Sequence, residues 1–218
     1  MNQYIDHTNL KPTALKSDII TLCQQAKQYQ FKSVCIHGGY VALCAEQLKE
    51  SHVDVCAVIG FPLGANTIES KVFEAQNAIE NGAREIDMVI NISKVLEKDR
   101  DYLILEISAI KQAIGSNILK VIIEACLLSD EEKILATECV IAAKADFVKT
   151  STGFSTGGAT IEDVKLLAKI ANNQIEVKAA GGVKTYEDCV AMIEAGATRI
   201  GTSGGVKLMQ GDQAEGSY

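Results

Sequence analysis

Eight short runs of β-forming residues alternate with amphipathic segments along this chain, and this alternation constrains the fold more than any other feature. The runs are Tyr4–His7, Ser33–Ile36, Asp54–Ile59, Glu85–Ile90, Leu119–Glu124, Asp146–Ser151, Ile175–Ala179 and Arg199–Thr202. Spread over 218 residues, they leave about 27 residues for each strand and its helix. The pattern therefore predicts an α/β fold with a closed parallel sheet, the (β/α)8 or TIM barrel.

An open doubly wound sheet is the competing architecture. It normally carries a glycine-rich fingerprint after its first strand. The loop after Ser33–Ile36 is instead His37-Gly38-Gly39, which lacks the required spacing. The chain has two prolines and no Pro/Ser-rich linker, so residues 1–218 are expected to form a single domain, with a flexible tail from about residue 211 to residue 218.

Polar caps and glycines mark the ends of the intervening helices. Ser129 and Glu132 form a capping-box pattern, and Thr160 and Thr185 each precede an aspartate by three residues. Gly82 and Gly196 end helical segments just before the next strand. Ser or Thr after a strand and Gly before the next one are typical of βα repeats.

Composition excludes several classes of protein. The net charge is −7 and no basic cluster is present, which argues against nucleic-acid binding. No apolar run reaches the ~18 residues of a membrane span, and the N-terminus lacks the pattern of a signal peptide. The seven cysteines are irregularly spaced without a C-x-x-C motif, and the three histidines form no metal-binding pattern. We therefore expect a reduced, cytoplasmic protein that does not associate with membranes.

Two lysines lie inside apolar strands, and each is followed by a glycine-containing loop. Lys149 is in Asp146–Ser151 and Lys178 is in Ile175–Ala179. Since adjacent parallel strands lie about 4.8 Å apart, both amines are expected to approach each other inside the carboxyl end of the barrel. Burial and repulsion should hold the pKa of at least one lysine well below about 10.4, and a neutral amine can form a Schiff base. The alternative is that each lysine extends to the rim or pairs with a glutamate.

Other polar residues are candidates for the same end of the barrel. Asp87 is a carboxylate in an apolar strand that could relay a proton through water, or form a structural ion pair with a lysine. Asp6 is a weaker candidate of the same kind that fits a turn or cap equally well. Cys35 is more typical of a buried structural thiol than of a nucleophile. Glu124 could line the pocket or hold a loop.

Glycines follow the last three strands and form a second candidate site. They include Gly153 after the sixth strand, Gly181 and Gly182 after the seventh, and Gly201 and Gly204 around Ser203 after the eighth. Barrel enzymes often bind phosphate with the loops after strands seven and eight, because glycine lets backbone N–H groups converge on an anion. Tight turns are the alternative explanation.

Several of these segments resemble the deoxyribose-phosphate aldolases, in the same order along nearly the whole chain. The matching segments are Ile5–Thr8, Val58–Gly64, Glu85–Asn91, Lys120–Glu124, Phe147–Phe154 and Val177–Val183. The resemblance implies a metal-independent class I aldolase on a (β/α)8 barrel, with no cofactor beyond a covalent imine on Lys149. It also implies reversible cleavage of 2-deoxy-D-ribose 5-phosphate to D-glyceraldehyde 3-phosphate and acetaldehyde, in deoxyribose phosphate catabolism.

The resemblance assigns roles to individual residues. Lys149 would form the Schiff base, Lys178 would lower the pKa of Lys149 and relay protons, and Asp87 would act as acid and base through water. The glycine loops and Ser203 would hold the 5-phosphate, with Asp6 and Cys35 also among the substrate-binding residues. A homodimer or homotetramer is expected.

The chain departs from the family pattern at three places. His37-Gly38-Gly39 replaces an expected Asn-Pro, Gly204 replaces a serine, and Phe154-Ser155 stands where some relatives carry a lysine. The C-terminal Tyr218, shared with many relatives, could fold over the site. Two other hypotheses remain open at this point: a sugar-phosphate-binding barrel without catalysis, and a Schiff-base aldolase that uses another aldehyde or ketone donor.

Overall fold

Eight parallel strands close into a barrel in the computed structural model, which describes residues 1–212. Each strand pairs with the next one along the chain, and the last strand pairs with the first. The strands are β1 Ile5–Thr8, β2 Ser33–His37, β3 Asp54–Ile59, β4 Glu85–Val89, β5 Ile118–Ile122, β6 Phe147–Lys149, β7 Glu176–Ala180 and β8 Arg199–Thr202. The predicted (β/α)8 barrel is confirmed. Tyr218 and the other residues from 213 onward lie outside the described residues.

Helices connect the strands and form the outer layer of the barrel. Within residues 1–212 they are α1 Lys16–Tyr29, α2 Val41–Leu48, α3 Ile68–Glu80, α4 Ile92–Leu96, α5 Arg100–Ile114, α6 Asp130–Ala142, α7 Ile161–Ala171, α8 Tyr186–Glu194 and α9 Gly205–Gln210. Short 3-10 turns cover Asn2–Tyr4, Gly38–Tyr40 and Ala125–Leu127. No helix in this part of the chain is both long and apolar enough to cross a bilayer.

The predicted caps form. Ser129 accepts a hydrogen bond from the backbone N–H of Glu132, whose carboxylate accepts one from Ser129 in return. Thr185 and Asp188 make the same reciprocal pair at α8, whereas Thr160 caps α7 in one direction only. These caps satisfy N–H groups that a helix cannot satisfy internally, and they fix where each helix starts relative to the strand before it.

The alternation of side chains along the strands separates an apolar layer from a charged interior. Ile86 and Met88 of β4 and Leu119 and Val121 of β5 belong to the apolar core that packs against the helices. Charged side chains occupy the positions between them and are buried inside the barrel. The fold therefore places its ionisable groups in the interior of the closed sheet.

The sixth strand is shorter than the predicted Asp146–Ser151. It ends at Lys149, because the side chain of Thr150 takes over part of the pairing with β7. The Thr150 hydroxyl accepts a hydrogen bond from Ala180 N and donates one to Ala180 O, both at 3.1 Å. The other strand ends agree with the predicted runs to within one or two residues.

Candidate active site

Lys149 and Lys178 converge on one carboxylate at the interior of the barrel. They are register partners on β6 and β7, and their Nζ atoms lie 2.8 and 2.7 Å from the same oxygen of Asp87, Oδ2. Lys149 is 1% exposed, while Lys178 and Asp87 are fully buried. The prediction that the two amines meet inside the barrel is confirmed, and Asp87 touches both directly.

Asp87 also belongs to a larger network of buried charges. Its other oxygen, Oδ1, lies 2.8 Å from Lys120 Nζ, which in turn lies 2.6 Å from Glu85. Arg199 binds Glu85 and Asp6, both at 2.8 Å. Asp6 also forms an ion pair of 2.5 Å with Lys178, which connects the last residue of the network back to the first.

The network is thus a closed ring of alternating charges, to which Lys149 is attached at Asp87. We call its six members the charge ring: Asp6, Lys178, Asp87, Lys120, Glu85 and Arg199. Three acids and three bases balance formally within the ring. Lys149 is the additional base, and it contacts a single carboxylate among the described residues.

The ring sets the protonation of its members. Burial opposes ionisation of Asp87, but Lys120, Lys149 and Lys178 outweigh burial and hold the pKa of this carboxyl well below its usual range. Burial likewise opposes the ammonium of Lys178, yet Asp6 and Asp87 raise the pKa of Lys178 above the usual lysine range. The sequence predicts a lowered pKa for at least one of the two lysines, and Lys178 is not that lysine. Sequence reasoning counted burial and lysine–lysine repulsion but not the two carboxylates.

Sequence reasoning missed three members of the ring. Glu85, Lys120 and Arg199 were seen as parts of strands or motifs but not as site residues. Each lies within a run predicted to be a strand, so each carried the same signal that singled out Lys149, a charge in an apolar strand. Applied to every strand, that rule would have found all of them.

Asp6 and Cys35 lie beside Lys178 and Asp87 inside the barrel. Asp6 is held between Lys178 and Arg199 at distances of 2.5 and 2.8 Å. Burial raises the pKa of Asp6, but these two cations outweigh burial and lower it. Cys35 Sγ is buried 4.0 Å from Asp87 Oδ2. Its neighbour across the sheet is Cys56, which sequence reasoning did not select.

Cys35, Cys56 and Asp87 form the one group of potential metal ligands within residues 1–212. The Cys56 thiol donates to Asp87 Oδ1 at 3.1 Å. A divalent cation here would face the ammonium groups of Lys120, Lys149 and Lys178, which already neutralise Asp87. The charge distribution therefore favours chemistry by lysine amines at this site.

The glycines selected as phosphate ligands occupy different positions. Gly153, Gly181 and Gly158 come together where the β6–α7 and β7–α8 loops meet, since a Cβ added at Gly181 would lie 3.1 Å from Gly158 Cα and 3.6 Å from Gly153 Cα. Gly182 is exposed beside them and has open space at its Cβ position. Glycine at these positions lets the two loops approach each other closely, since a Cβ at Gly158 would lie 2.4 Å from Gly181 O.

The segment after the eighth strand differs from the expectation. Gly201, expected in the loop, lies within β8 as the register partner of Asp6 and Ala180. Gly204 donates its N–H to the hydroxyl of Thr202 at 3.1 Å. Ser203 is exposed and lines a cleft of about 170 Å³ together with Thr8 and Lys11. Ser203 therefore lines an exposed cleft whose lining also includes a cation, Lys11, and a carboxylate, Asp18, neither of which sequence reasoning considered.

Glu124 holds the loop that follows Lys149. It is 2% exposed and adopts a left-handed conformation with φ of 52°, which is uncommon for a non-glycine residue. Its carboxylate accepts hydrogen bonds from the hydroxyl and from the N–H of Thr152, and the Thr152 hydroxyl accepts one from Phe154 N. The second of the two roles considered for Glu124, holding a loop, is the one its contacts support.

Aromatic rings cross the mouth of the barrel. Phe61, from the loop after β3, packs edge-on against Phe154, from the loop after β6, with centroids 5.3 Å apart. Phe61 also contacts His37, at 5.8 Å. Two of the departures from the family pattern, His37 and Phe154, therefore belong to one aromatic rim.

A (β/α)8 barrel with lysine amines and a carboxylate converging inside it defines a class of barrel proteins equipped for amine chemistry on a carbonyl. The chain belongs to the DeoC/LacD family of aldolases, whose model matches residues 1–211. This places the protein among aldolases before any substrate is considered.

Named relatives share nearly the full length of the chain. It is 56% identical to the deoxyribose-phosphate aldolase of Streptococcus uberis, over 100% of this chain and 99% of that one. It is 51% identical to the deoxyribose-phosphate aldolase of Mycoplasma capricolum, over 100% of this chain and 98% of that one.

Solved structures agree. A putative deoxyribose-phosphate aldolase from Coccidioides immitis superposes with a TM-score of 0.95 at 42% identity, covering 96% of this chain and 84% of that one. The tetrameric deoxyribose phosphate aldolase of Aeropyrum pernix has a TM-score of 0.90 at 36% identity, covering 96% and 89%.

Proposed function

We propose that this protein is a Schiff-base aldolase that reversibly cleaves 2-deoxy-D-ribose 5-phosphate into D-glyceraldehyde 3-phosphate and acetaldehyde. The observation that carries the proposal is the single Asp87 oxygen shared by Lys149 and Lys178. Full-length similarity to deoxyribose-phosphate aldolases supports the choice of substrate. A binding protein without catalysis would have no use for four bases packed around three acids inside its barrel.

Lys149 is the proposed nucleophile. The charge ring is balanced without it, so the whole cluster becomes neutral when Lys149 loses a proton. Each of the other three bases contacts at least two carboxylates, whereas Lys149 contacts one. Lys149 therefore makes the fewest ion pairs of the four bases, and as a neutral amine it can add to the C1 aldehyde of the open-chain sugar.

Bond cleavage follows from the iminium that forms on Lys149. The iminium withdraws electrons from the C2–C3 bond, which breaks as the C3 hydroxyl loses its proton. The products are the aldehyde of glyceraldehyde 3-phosphate and an enamine of acetaldehyde bound to Lys149. Protonation of the enamine carbon and hydrolysis then release acetaldehyde and restore the amine.

Asp87 and Lys178 are the proposed proton carriers. Asp87 is anionic in the resting site, because three ammonium groups hold its pKa low against the opposing effect of burial. While the amine of Lys149 is neutral during its addition to the aldehyde, Asp87 faces one cation fewer and is a better base. Lys178 stays protonated and can donate a proton.

The phosphate end is proposed to lie at the loops after β6, β7 and β8. Gly181 and Gly182 both have φ close to +80°, a conformation that turns backbone N–H groups toward one side. Gly153, Ser203 and Gly204 are proposed to complete the phosphate site, with Lys11 as a cation at its edge.

Lysine chemistry needs no metal, and we propose none, nor any cofactor beyond the imine. The same proposal places the enzyme in the cytoplasm, in deoxyribose phosphate breakdown, as a homodimer or homotetramer. All seven cysteines are free thiols, which suits a reducing compartment.

Trapping the imine tests the proposal. Sodium borohydride added with acetaldehyde should reduce the Schiff base and increase the mass of the peptide that contains Lys149. The Lys149→Met variant should remain unmodified there and should not release glyceraldehyde 3-phosphate in a coupled assay. Recovery of the unmodified Lys149 peptide from active wild-type enzyme would contradict the mechanism, and absence of product from wild-type enzyme would contradict the activity.

A further inference from the structure

Three consecutive residues after the proposed nucleophile carry hydroxyl groups, and their hydrogen bonds differ. The Thr150 hydroxyl is bound to both backbone groups of Ala180 at 3.1 Å. The Thr152 hydroxyl is bound to Glu124 and to the N–H of Phe154. The Ser151 hydroxyl, between them, is fully buried and has no hydrogen-bond partner among the described residues.

A buried hydroxyl without a partner requires an explanation. Leaving a polar group unsatisfied in a protein interior is unfavourable, and nearly all such groups in folded proteins are bonded. The sequence nevertheless keeps a hydroxyl at this position, where an apolar residue of the same size would fold without that penalty.

Ser151 is positioned between the amine and the glycine loops. It is two residues beyond Lys149, just after the end of β6 and toward the mouth of the barrel. Its Cβ lies 3.6 Å from the position that a Cβ on Gly181 would occupy, and Gly153 and Gly158 pack around the same point. A ligand attached to Lys149 and extending toward Gly181 and Gly182 therefore passes Ser151.

We propose that the Ser151 hydroxyl is a substrate-binding group that donates a hydrogen bond to an oxygen of the three-carbon half of the sugar phosphate. This inference rests on the proposed function and adds a contact to it. The oxygen belongs either to the chain hydroxyl next to the new aldehyde or to the phosphate group, and both are acceptors of the required kind. The proposal assigns no contact between Ser151 and acetaldehyde, the other product.

The test is the Ser151→Ala variant, assayed in the direction of synthesis. Its KM for D-glyceraldehyde 3-phosphate should rise about tenfold, since a hydrogen bond to a charged or strongly polar acceptor is removed. Its KM for acetaldehyde and its borohydride trapping on Lys149 should match wild type. Its thermal unfolding midpoint should not fall, because the hydroxyl has no protein partner to lose.

Ser33→Ala is the matched control. Ser33 also has a buried hydroxyl without a partner, but it lies at the start of β2, on the far side of the barrel. The same atom is removed, so any general effect of deleting a buried hydroxyl appears in both variants. Only Ser151→Ala should change the KM for the phosphorylated aldehyde.

Assays with non-phosphorylated D-glyceraldehyde identify which oxygen of the substrate accepts the hydrogen bond from Ser151. A rise in KM for both aldehydes assigns the contact to the chain hydroxyl, and a rise for the phosphorylated aldehyde alone assigns it to the phosphate. Unchanged KM values for both would overturn the inference. So would a lower unfolding midpoint with reduced imine trapping, which would show that Ser151 acts on Lys149. If the wild-type enzyme is active, either of these two results overturns the inference about Ser151 but not the proposed function.

Discussion

Lys178 combines two buried ion pairs with a proposed role in proton transfer. Its ammonium bridges Asp6 and Asp87 at 2.5 and 2.7 Å, and its pKa is raised by these two carboxylates against the effect of burial. The positive charge of Lys178 lies beside Lys149 and helps to keep Asp87 anionic.

Replacing Lys178 by methionine should therefore lower kcat/KM by about 10²–10⁴-fold. The low-pH limb of the profile should also move to higher pH, because Asp87 loses one of the three cations that hold its pKa down. The measurement is the pH dependence of kcat/KM for wild type and for Lys178→Met, with Lys178→Arg as a control that retains the charge. If the low-pH limb of Lys178→Met matched that of wild type, the electrostatic coupling between Lys178 and Asp87 would be contradicted.

The sequence reveals which charged residues lie in apolar strands, but not every partner that sets their pKa values. The apolar surroundings of Lys149, Lys178 and Asp87 were visible, and their convergence was predicted. The direction of the pKa of Lys178 was not, because it depends on Asp6, a residue 172 positions away in the sequence. Only the closing of β8 onto β1 brings Asp6 beside β7 and β8.

At the scale of elements, the loop after β3 is held by a buried ion pair on the helical side of the sheet. Lys71 of α3 lies 2.6 Å from Glu106 of α5, and both side chains are fully buried. Lys71 also donates to the carbonyls of Gly64 and Val89 at 2.7 and 2.8 Å. Lys71 thus ties the loop after β3, which carries Phe61, to the end of β4 and to α5.

We expect the Lys71→Met variant to lose about 3–5 kcal/mol of unfolding free energy, because Glu106 would remain buried without its partner. The double variant Lys71→Met/Glu106→Gln should lose less than the sum of the single variants. Urea denaturation of the four proteins in this cycle gives the coupling energy.

The partly exposed Lys32–Asp54 pair, 2.7 Å apart, supplies the control. Lys32→Met should change stability by under about 1 kcal/mol, as expected for a surface ion pair. Equal effects of Lys71→Met and Lys32→Met would show that burial does not govern the strength of the Lys71 contact.

At this scale the sequence predicts the order and type of the helices and strands, but not the contacts between distant residues that hold them together. The caps at Ser129 and Thr185 are local patterns and were predicted directly. The Lys71–Glu106 pair joins residues that are 35 positions apart, and each looks like an ordinary helix residue in the sequence. Nor did the sequence show that Thr150 would shorten β6, since that depends on the position of Ala180.

For the whole molecule, the charge ring links five of the eight strands through the centre of the barrel: β1, β4, β5, β7 and β8. Most parallel barrels fill their interior with apolar layers. Here ion pairs occupy interior positions instead, and the ring that joins these strands contains Asp87 and Lys178, the proposed proton carriers. Stability and activity should therefore respond together when one member is neutralised.

Asp6 provides the test of this coupling. Its carboxylate is fully buried between Lys178 and Arg199, whose charges lower its pKa in the folded protein against burial. A folded pKa below the unfolded value contributes stability that is fully present above the unfolded pKa of about 3.9. That stability is lost as the pH falls toward the folded value.

Asp6→Asn should accordingly be about 3–5 kcal/mol less stable than wild type at pH 7, because two buried cations lose a shared partner. The difference between the two proteins should stay constant down to about pH 4 and then narrow by about 1.4 kcal/mol for each further pH unit. Urea unfolding across this pH range measures it, with Asp54→Asn as the partly exposed control. A difference that widens on acidification would mean that Asp6 is protonated in the folded protein, and the ring would then lack the negative charge that keeps Lys178 protonated.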